Sequence, residues 1–168
     1  MRKSHVLMTV VLLVSLAGMG WVYGQSRTGP ATLTGADIAE IERLYQRYSQ
    51  GLDFAEEEVY LSAWADDAVF TVQDGKWSGK EELRKRWRMR LGGEGTTTLH
   101  ITTNILITPT EDGGASGRAY WILLDASQKE PRMVQTGHYF DTFVRTPQGW
   151  RIKTRGSVRG WDWRLKKP

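Results

Sequence analysis

Asp53 and His100 are the two residues of this chain whose types best suit acid–base chemistry. Asp53 follows the first predicted helix, where the chain turns, and His100 lies on the first long predicted strand. A carboxylate that accepts from one imidazole nitrogen fixes the tautomer, so the other nitrogen can exchange a proton with a ligand. Two plainer interpretations stay open: Asp53 caps the following helix near Glu56, and His100 is a packed strand residue.

Asn104 is the single asparagine of the chain and lies four residues after His100. An unbroken strand would point both side chains to the same side, so Asn104 is predicted to orient a ligand carbonyl. The alternative is a hydrogen bond to a neighbouring loop or bulge. His138 has the opposite parity from Tyr139, and two histidines without a third ligand predict no metal site.

Four aromatic residues are predicted to form the walls of a ligand pocket, because small-molecule sites are lined mainly by apolar and aromatic side chains. They are Tyr48, Phe70, Trp121 and Tyr139. The alternative is that some of them belong to an ordinary hydrophobic core.

The predicted secondary-structure elements that position these residues are helices in the first part of the chain and strands in the second. Thr34 and Asp37 form a capping-box pattern at the start of a first helix, and shorter helices follow Asp53 and Gly79. Asp66 and Asp67 are interpreted as a turn before a short strand. The predicted strands are 68–72, 97–108, 118–126, 133–145 and 150–158. Helices first and an antiparallel sheet afterwards indicate a single α+β domain.

The N-terminal segment is predicted to lie outside that domain. A basic head precedes residues 6–23, which carry no charge, and small residues precede Gln25. This pattern predicts a signal peptide over residues 1–24, cleaved before Gln25, and an exported protein that is periplasmic or secreted. The alternative is a membrane anchor through residues 6–23. Residues 25–33 read as a linker and residues 164–168 as a basic tail.

Charge and composition narrow the possible partners. Residues 1–24 carry two cationic residues and no acidic one, so their removal lowers the net charge from +4 to +2. That small charge argues against a nucleic-acid partner, and the basic third helix reads as a solvated face. The alternative is a patch for nucleic acid or anionic membranes. With no cysteine, thiol catalysis and disulfides are excluded. No cofactor is predicted.

Several short motifs occur in an order that resembles the SnoaL-like branch of the nuclear transport factor two-like superfamily. The resemblance covers roughly residues 34–163. The motifs are Tyr48-x4-Asp53, Trp64-Ala65-Asp66-Asp67-Ala68-Val69-Phe70, Gly79, His100-x3-Asn104, Gly137-x-Tyr139-x-Asp141, Arg145 and Gly149-Trp150-Arg151-Ile152.

The resemblance implies a fold and a site. The fold is a strongly curved, mainly antiparallel sheet wrapped around N-terminal helices, forming a cone with an apolar pocket. In scytalone dehydratase and its relatives, residues that match Asp53 and His100 form a hydrogen-bonded dyad. Three groups of that enzyme are replaced here, by Leu52 for a tyrosine, Val72 for a second tyrosine and Trp121 for a second histidine.

These observations predict an exported protein that binds a small, cyclic molecule in an apolar pocket. Its expected activity is cofactor-free lyase or isomerase chemistry through Asp53 and His100. The alternative is a protein of the same fold that binds a ligand without turnover or serves as an assembly module. A homodimer or higher homo-oligomer is predicted, because apolar residues occur on both faces of the strands.

Overall fold

The fold consists of three helices and six strands, in a computed structural model that describes residues 32–91 and 97–160. The signal peptide, its alternative as an anchor, most of the linker and the basic tail were predicted for residues outside these ranges. In chain order, the elements are α1 (Gly35–Asp53), α2 (Glu57–Ser62), β1 (Trp64–Val72), β2 (Gly75–Ser78), α3 (Lys80–Leu91), β3 (Thr98–Pro109), β4 (Ala115–Asp125), β5 (Arg132–Thr146) and β6 (Gly149–Arg159).

The six strands form one strongly curved sheet in the order β2-β1-β6-β5-β4-β3. Strands β3 to β6 pair antiparallel with their sequence neighbours, and β1 pairs parallel with β6. The predicted α+β class, with a mixed and mainly antiparallel sheet beside N-terminal helices, is confirmed. None of the helices in the two described ranges is long and apolar enough to cross a membrane.

One face of the sheet packs against the helices, and we call it the inner face. Its core joins apolar residues of α1 with alternate residues of the strands, such as Tyr139 and Phe143 on β5. The opposite, outer face carries the residues of the other parity, including His138 and Phe140. This alternation explains why β5 shows aromatic residues at both parities of its sequence.

The predicted strand β1 was too short, and β2 was missed. Strand β1 starts at Trp64 and runs through Asp66 and Asp67, which had been interpreted as a turn. A bulge between Trp64 and Val69 interrupts its register with β6, and Lys80 binds Asp66 at 2.8 Å. The exposed acidic pair is therefore accommodated in a strand by irregular pairing and a cation.

Asp37 links the start of α1 to the sheet. Its carboxylate accepts from the Thr34 backbone N–H at 2.9 Å, which completes the predicted capping box, and from the Trp150 indole N–H at 3.0 Å. Arg145 donates to the same carboxylate. The Trp150 hydrogen bond first, and then those from Thr34, hold the pKa of Asp37 well below its ordinary range.

Replacing Asp37 with asparagine is expected to lower the melting temperature by several degrees, the size typical of a lost helix cap. Since the folded-state pKa lies below the unfolded one, Asp37 stabilises the fold above about pH 4 and loses this effect as the pH falls further. The difference between the melting temperatures of the wild type and the variant should therefore shrink steadily as the pH falls from about 4 to about 2. A constant difference across that range would contradict this role.

Candidate active site

Asp53 and His100 form a hydrogen-bonded pair where the end of α1 meets β3. The Oδ1 atom of Asp53 lies 2.5 Å from Nδ1 of His100, and Oδ2 accepts from the His100 backbone N–H at 2.8 Å. Both side chains are nearly enclosed, with 9% and 6% of their surfaces exposed. Both carboxylate oxygens of Asp53 are thus directed at His100, and the N-cap residue of α2, Glu56, makes no side-chain cap hydrogen bond.

The last turn of α1 is held in place by the other two helices. Gly51 lies where α1 meets α2, and a Cβ atom there would overlap the backbone of Tyr60. Its carbonyl accepts from the Trp87 indole N–H of α3 at 3.0 Å. On the sheet side, the hydroxyls of Ser49 and Thr102 lie 3.3 Å apart. These contacts fix the position of Asp53 relative to β3.

The contacts of the His100 ring assign its tautomer. The Nε2 atom lies 3.3 Å from Nη2 of Arg90. A guanidinium can only donate, so Nε2 acts as the acceptor and Nδ1 carries the proton that is donated to Asp53. Nε2 is therefore the basic atom of the pair; its lone pair points to the side of the ring away from Asp53, where the exposed Arg90 contacts it.

A small cavity adjoins the ring of His100. Its inner wall is formed by buried aromatic residues of α1, β1, β4 and β5, namely Tyr48, Phe70, Trp121 and Tyr139. Gly137 permits this arrangement, because a Cβ atom there would collide with the Trp121 ring. Burial raises the pKa of the Tyr139 phenol well above its ordinary value, so this hydroxyl stays protonated.

The outer part of the cavity is cationic, which corrects the expectation of an apolar pocket. Arg86 and Arg90 of α3 and Arg159 of β6 line it, together with Gln135 and Ser157. Its volume is about 60 Å³, whereas a cavity that holds benzene measures about 150 Å³. The enclosed space therefore suits the polar head of a ligand rather than a whole ring.

Asn104 does not face this cavity, so its predicted placement beside His100 is wrong. The register of β3 with β4 shifts between Thr103 and Leu106, and Asn104 adopts the left-handed conformation with φ of 52°. The extra residue reverses the alternation, and Asn104 lines a hollow on the outer face with Tyr120 and His138. An asparagine, which tolerates the left-handed conformation, in the middle of a predicted strand was the signal for this bulge.

A buried ion pair lies behind the aromatic wall. Arg155 donates to Asp141 from Nε at 2.9 Å and from Nη2 at 2.7 Å, and both side chains are fully buried. The guanidinium carbon lies 4.1 Å from the centre of the Tyr139 ring and 4.5 Å from that of Tyr48. Burial alone would lower the pKa of Arg155, but the charge and hydrogen bonds of Asp141 outweigh it and raise that pKa.

The role of α3 was missed by sequence reasoning, which interpreted its basic residues as a solvated face. Arg84 and Arg88 do follow that interpretation, since both bind Glu57 of α2. Arg86 and Arg90 instead line the cavity. Their spacing of four residues, which places two side chains on one side of a helix, was the available signal.

Larger hollows exist elsewhere in the described part of the chain, but their lining residues do not include a carboxylate–imidazole pair like Asp53 and His100. One of about 530 Å³ lies on the outer face beside Leu106, Arg118 and Phe140. Asp141 is among its lining residues, but the Asp141 carboxylate is fully buried and bound by Arg155. In the described ranges no group of three or more histidine, cysteine, aspartate or glutamate residues is placed to hold a metal ion.

Comparisons with known proteins agree with the fold. The model of the SnoaL-like domain matches residues 34–156. Because this match covers most of the chain, the protein belongs to the SnoaL-like domain family.

Among curated proteins, 60 residues of the chain are 33% identical to the small subunit of anthranilate 1,2-dioxygenase from Burkholderia cepacia. The match spans 35% of this chain and only 37% of that subunit.

Solved structures share the fold at low sequence identity. A protein of unknown function with a cystatin-like fold from Nostoc punctiforme superimposes with a TM-score of 0.69 and 24% identity, covering 80% of this chain and 98% of that one. A candidate scytalone dehydratase from Novosphingobium aromaticivorans gives a TM-score of 0.63 and 22% identity, covering 75% of this chain and 85% of that one.

Proposed function

We propose that the protein is a cofactor-independent lyase or isomerase that acts on a small carbonyl compound. The observation that carries this proposal is the 2.5 Å contact of Asp53 with Nδ1 of His100, which leaves Nε2 as a base beside a cavity. An oriented histidine of this kind contributes about 10²- to 10⁴-fold to proton transfer.

The proposed chemistry needs only His100 to move protons. Nε2 takes a proton from the carbon next to the carbonyl, which gives an enolate and an imidazolium stabilised by Asp53. The imidazolium then returns the proton to another carbon, which completes an isomerisation, or to a β-hydroxyl that leaves as water. The protonated hydroxyl of Tyr139, which lines the same cavity, is a candidate donor to the enolate oxygen.

Two relatives support a small-molecule role. The Novosphingobium structure shares the fold and is that of a candidate scytalone dehydratase. The Burkholderia subunit belongs to an enzyme that acts on anthranilate, an aromatic acid. Neither likeness extends to the whole chain at high identity, so the reaction is inferred from the dyad itself.

A second candidate function is ligand binding without turnover. It is favoured by Val72 and Trp121, which line the cavity at positions where the dehydratase has polar groups that act on its substrate. A binding protein would use the same cavity but would not need the basic Nε2 atom of His100.

Proton exchange in D₂O distinguishes these functions. The purified protein is incubated with a panel of enolisable ketones, β-hydroxy ketones and their carboxylate-bearing analogues, and deuterium uptake or loss of water is followed by proton NMR. We expect catalysed exchange with at least one compound. Compounds that bind, as seen by line broadening, but do not exchange would favour the second candidate function.

We further propose that the outer face forms a homodimer. Four large apolar side chains of β3 and β4 are between 41% and 52% exposed there, which a soluble surface seldom tolerates in one patch. They are Leu99, Ile101, Leu106 and Tyr120. A second copy with the same patch would cover them around a twofold axis.

Replacing Ile101 and Leu106 together with glutamate is expected to convert the dimer into a monomer, because four charges would face one another in the interface. Light scattering at micromolar concentration measures the mass. Met89→Glu is the matched control, since Met89 is 68% exposed on α3, away from the sheet face. A wild-type monomer, or a dimer that survives both substitutions, would contradict this interface.

Export is also a proposal. It rests on the basic head and the uncharged residues 6–23, which resemble a signal peptide with cleavage before Gln25. An exported dimer without cysteines would rely on its buried core for stability, not on disulfides.

A further inference from the structure

We propose that the ligand of the cavity carries a carboxylate, and that Arg86 and Arg90 bind it beside His100. This inference rests on the proposed use of the cavity as the functional site, and it specifies the class of substrate. Among the described lining residues there are three arginines and one histidine, but no aspartate or glutamate.

The cationic residues of α3 divide into two groups with different partners. Arg84 and Arg88 bind Glu57, and Lys85 binds Glu82 at 2.7 Å, so these charges are neutralised within the protein. Arg86 and Arg90 turn towards the cavity instead. The acidic residues of α2 and α3 thus neutralise the positive charges on the side of α3 that faces away from the cavity.

The surroundings of Arg86 give the most direct evidence that the cavity receives a ligand with a hydrogen-bond acceptor. Its guanidinium carbon lies 4.3 Å from the centre of the Phe70 ring and 5.1 Å from that of Trp77. Within the described part of the chain its Nη1 atom is buried and makes no hydrogen bond of good geometry, although the buried Tyr60 hydroxyl lies close enough to interact with the guanidinium. A buried N–H group of a charged side chain without an acceptor is costly, so a ligand oxygen at this point would be favoured.

Arg90 and Arg159 extend the positive charge from the interior to the surface. Arg90 is exposed yet reaches Nε2 of His100 at 3.3 Å, and Arg159, at the end of β6, lines the same cavity. A guanidinium binds a carboxylate through two parallel hydrogen bonds. A volume of about 60 Å³ fits a carboxylate head with the remainder of the ligand at the mouth.

Benzoate and benzamide are suitable probes, because they share a ring and differ in the charge of the head group. Binding to the full protein is measured by titration of the intrinsic tryptophan fluorescence and by calorimetry. We expect benzoate to bind at least about tenfold more tightly than benzamide, since charge-assisted hydrogen bonds are the stronger ones. Arg86→Gln and Arg90→Gln should each weaken benzoate binding by about tenfold.

Arg88→Gln is the matched control, because Arg88 lies on the same helix but binds Glu57, and it should leave the affinity for benzoate unchanged. Equal affinity for the two probes, no binding of benzoate, or unchanged affinity in both the Arg86 and Arg90 variants would overturn the proposal. Arg90 is exposed, so its variant remains informative if the Arg86 variant fails to fold. Proton exchange of neutral ketones tests the proposed reaction independently of this result.

Discussion

Replacing His100 with asparagine is expected to lower catalysed proton exchange by about 10²- to 10⁴-fold without unfolding the protein. The amide NH₂ of asparagine can occupy the place of Nδ1 and preserve the hydrogen bond to Asp53, whereas no atom replaces Nε2. The measurement is the NMR exchange rate with the best compound of the panel, compared at equal protein concentration. Circular dichroism and the melting temperature verify that the fold is retained.

Asp53→Asn tests the same dyad from the other partner. An amide that still accepts from the His100 backbone N–H would present its NH₂ group to Nδ1, which forces the ring proton onto Nε2. The basic atom would then become a donor, and we expect a loss of similar size. Thr142→Ala is the control, because Thr142 lies on the outer face of β5, away from the dyad, and its hydroxyl pairs with that of Thr154. Full activity of both dyad variants would remove His100 from the reaction.

The helices could be predicted from sequence because their signals are local. The reciprocal hydrogen bonds of Thr34 and Asp37 appear as expected, and the apolar residues that follow at helical spacing from Ile41 to Leu52 are buried. The four long strands were also predicted to within three residues at each end. The alternation of β5 and the turn at Gly149, with φ of 97°, carry enough information without any tertiary contact.

The errors occurred where tertiary contacts override a local preference. Asp66 and Asp67 have turn-forming side chains, but Lys80 and Lys153 bind them and allow β1 to continue through both residues. Asn104 adopts the left-handed conformation, which asparagine tolerates better than most residues. The resulting bulge places its side chain on the outer face, and not beside His100 as predicted. A rule of strict alternation cannot include such an insertion unless the register with β4 is known.

The candidate site was predictable only in part, because it too depends on tertiary contacts that no local sequence pattern reveals. The contact between Asp53 and His100 joins residues 47 positions apart, and it was expected from a family resemblance and not from spacing. Arg86 and Arg90 were overlooked because basic helix residues are usually solvated. What distinguishes them is the location of Glu57, which neutralises their neighbours, and only the packing of α2 on α3 reveals it.

Asp141 and Arg155 form a fully buried ion pair, and this pair should show the largest effect on stability. Asp141→Asn is expected to lower the free energy of unfolding by about 3–5 kcal/mol, because it leaves a fully buried guanidinium without its counter-charge. Domains of this size are stabilised by about 5–15 kcal/mol, so the variant would lose much of its stability. Urea unfolding followed by tryptophan fluorescence measures the change.

The double variant Asp141→Leu with Arg155→Met separates the cost of an unpaired charge from the value of the pair. Replacing both partners with apolar residues should recover most of the loss, since the desolvation of two charges offsets most of their attraction. Lys80→Met is the control: its pair with the exposed Asp66 should contribute about 1 kcal/mol or less. If Asp141→Asn cost no more than that control, the guanidinium would be held chiefly by the rings of Tyr45, Tyr48 and Tyr139, which surround it within 5 Å.

A recovered double variant would also show whether the cation behind the aromatic wall is needed for proton exchange at His100, because its fold would be intact and only the charge removed.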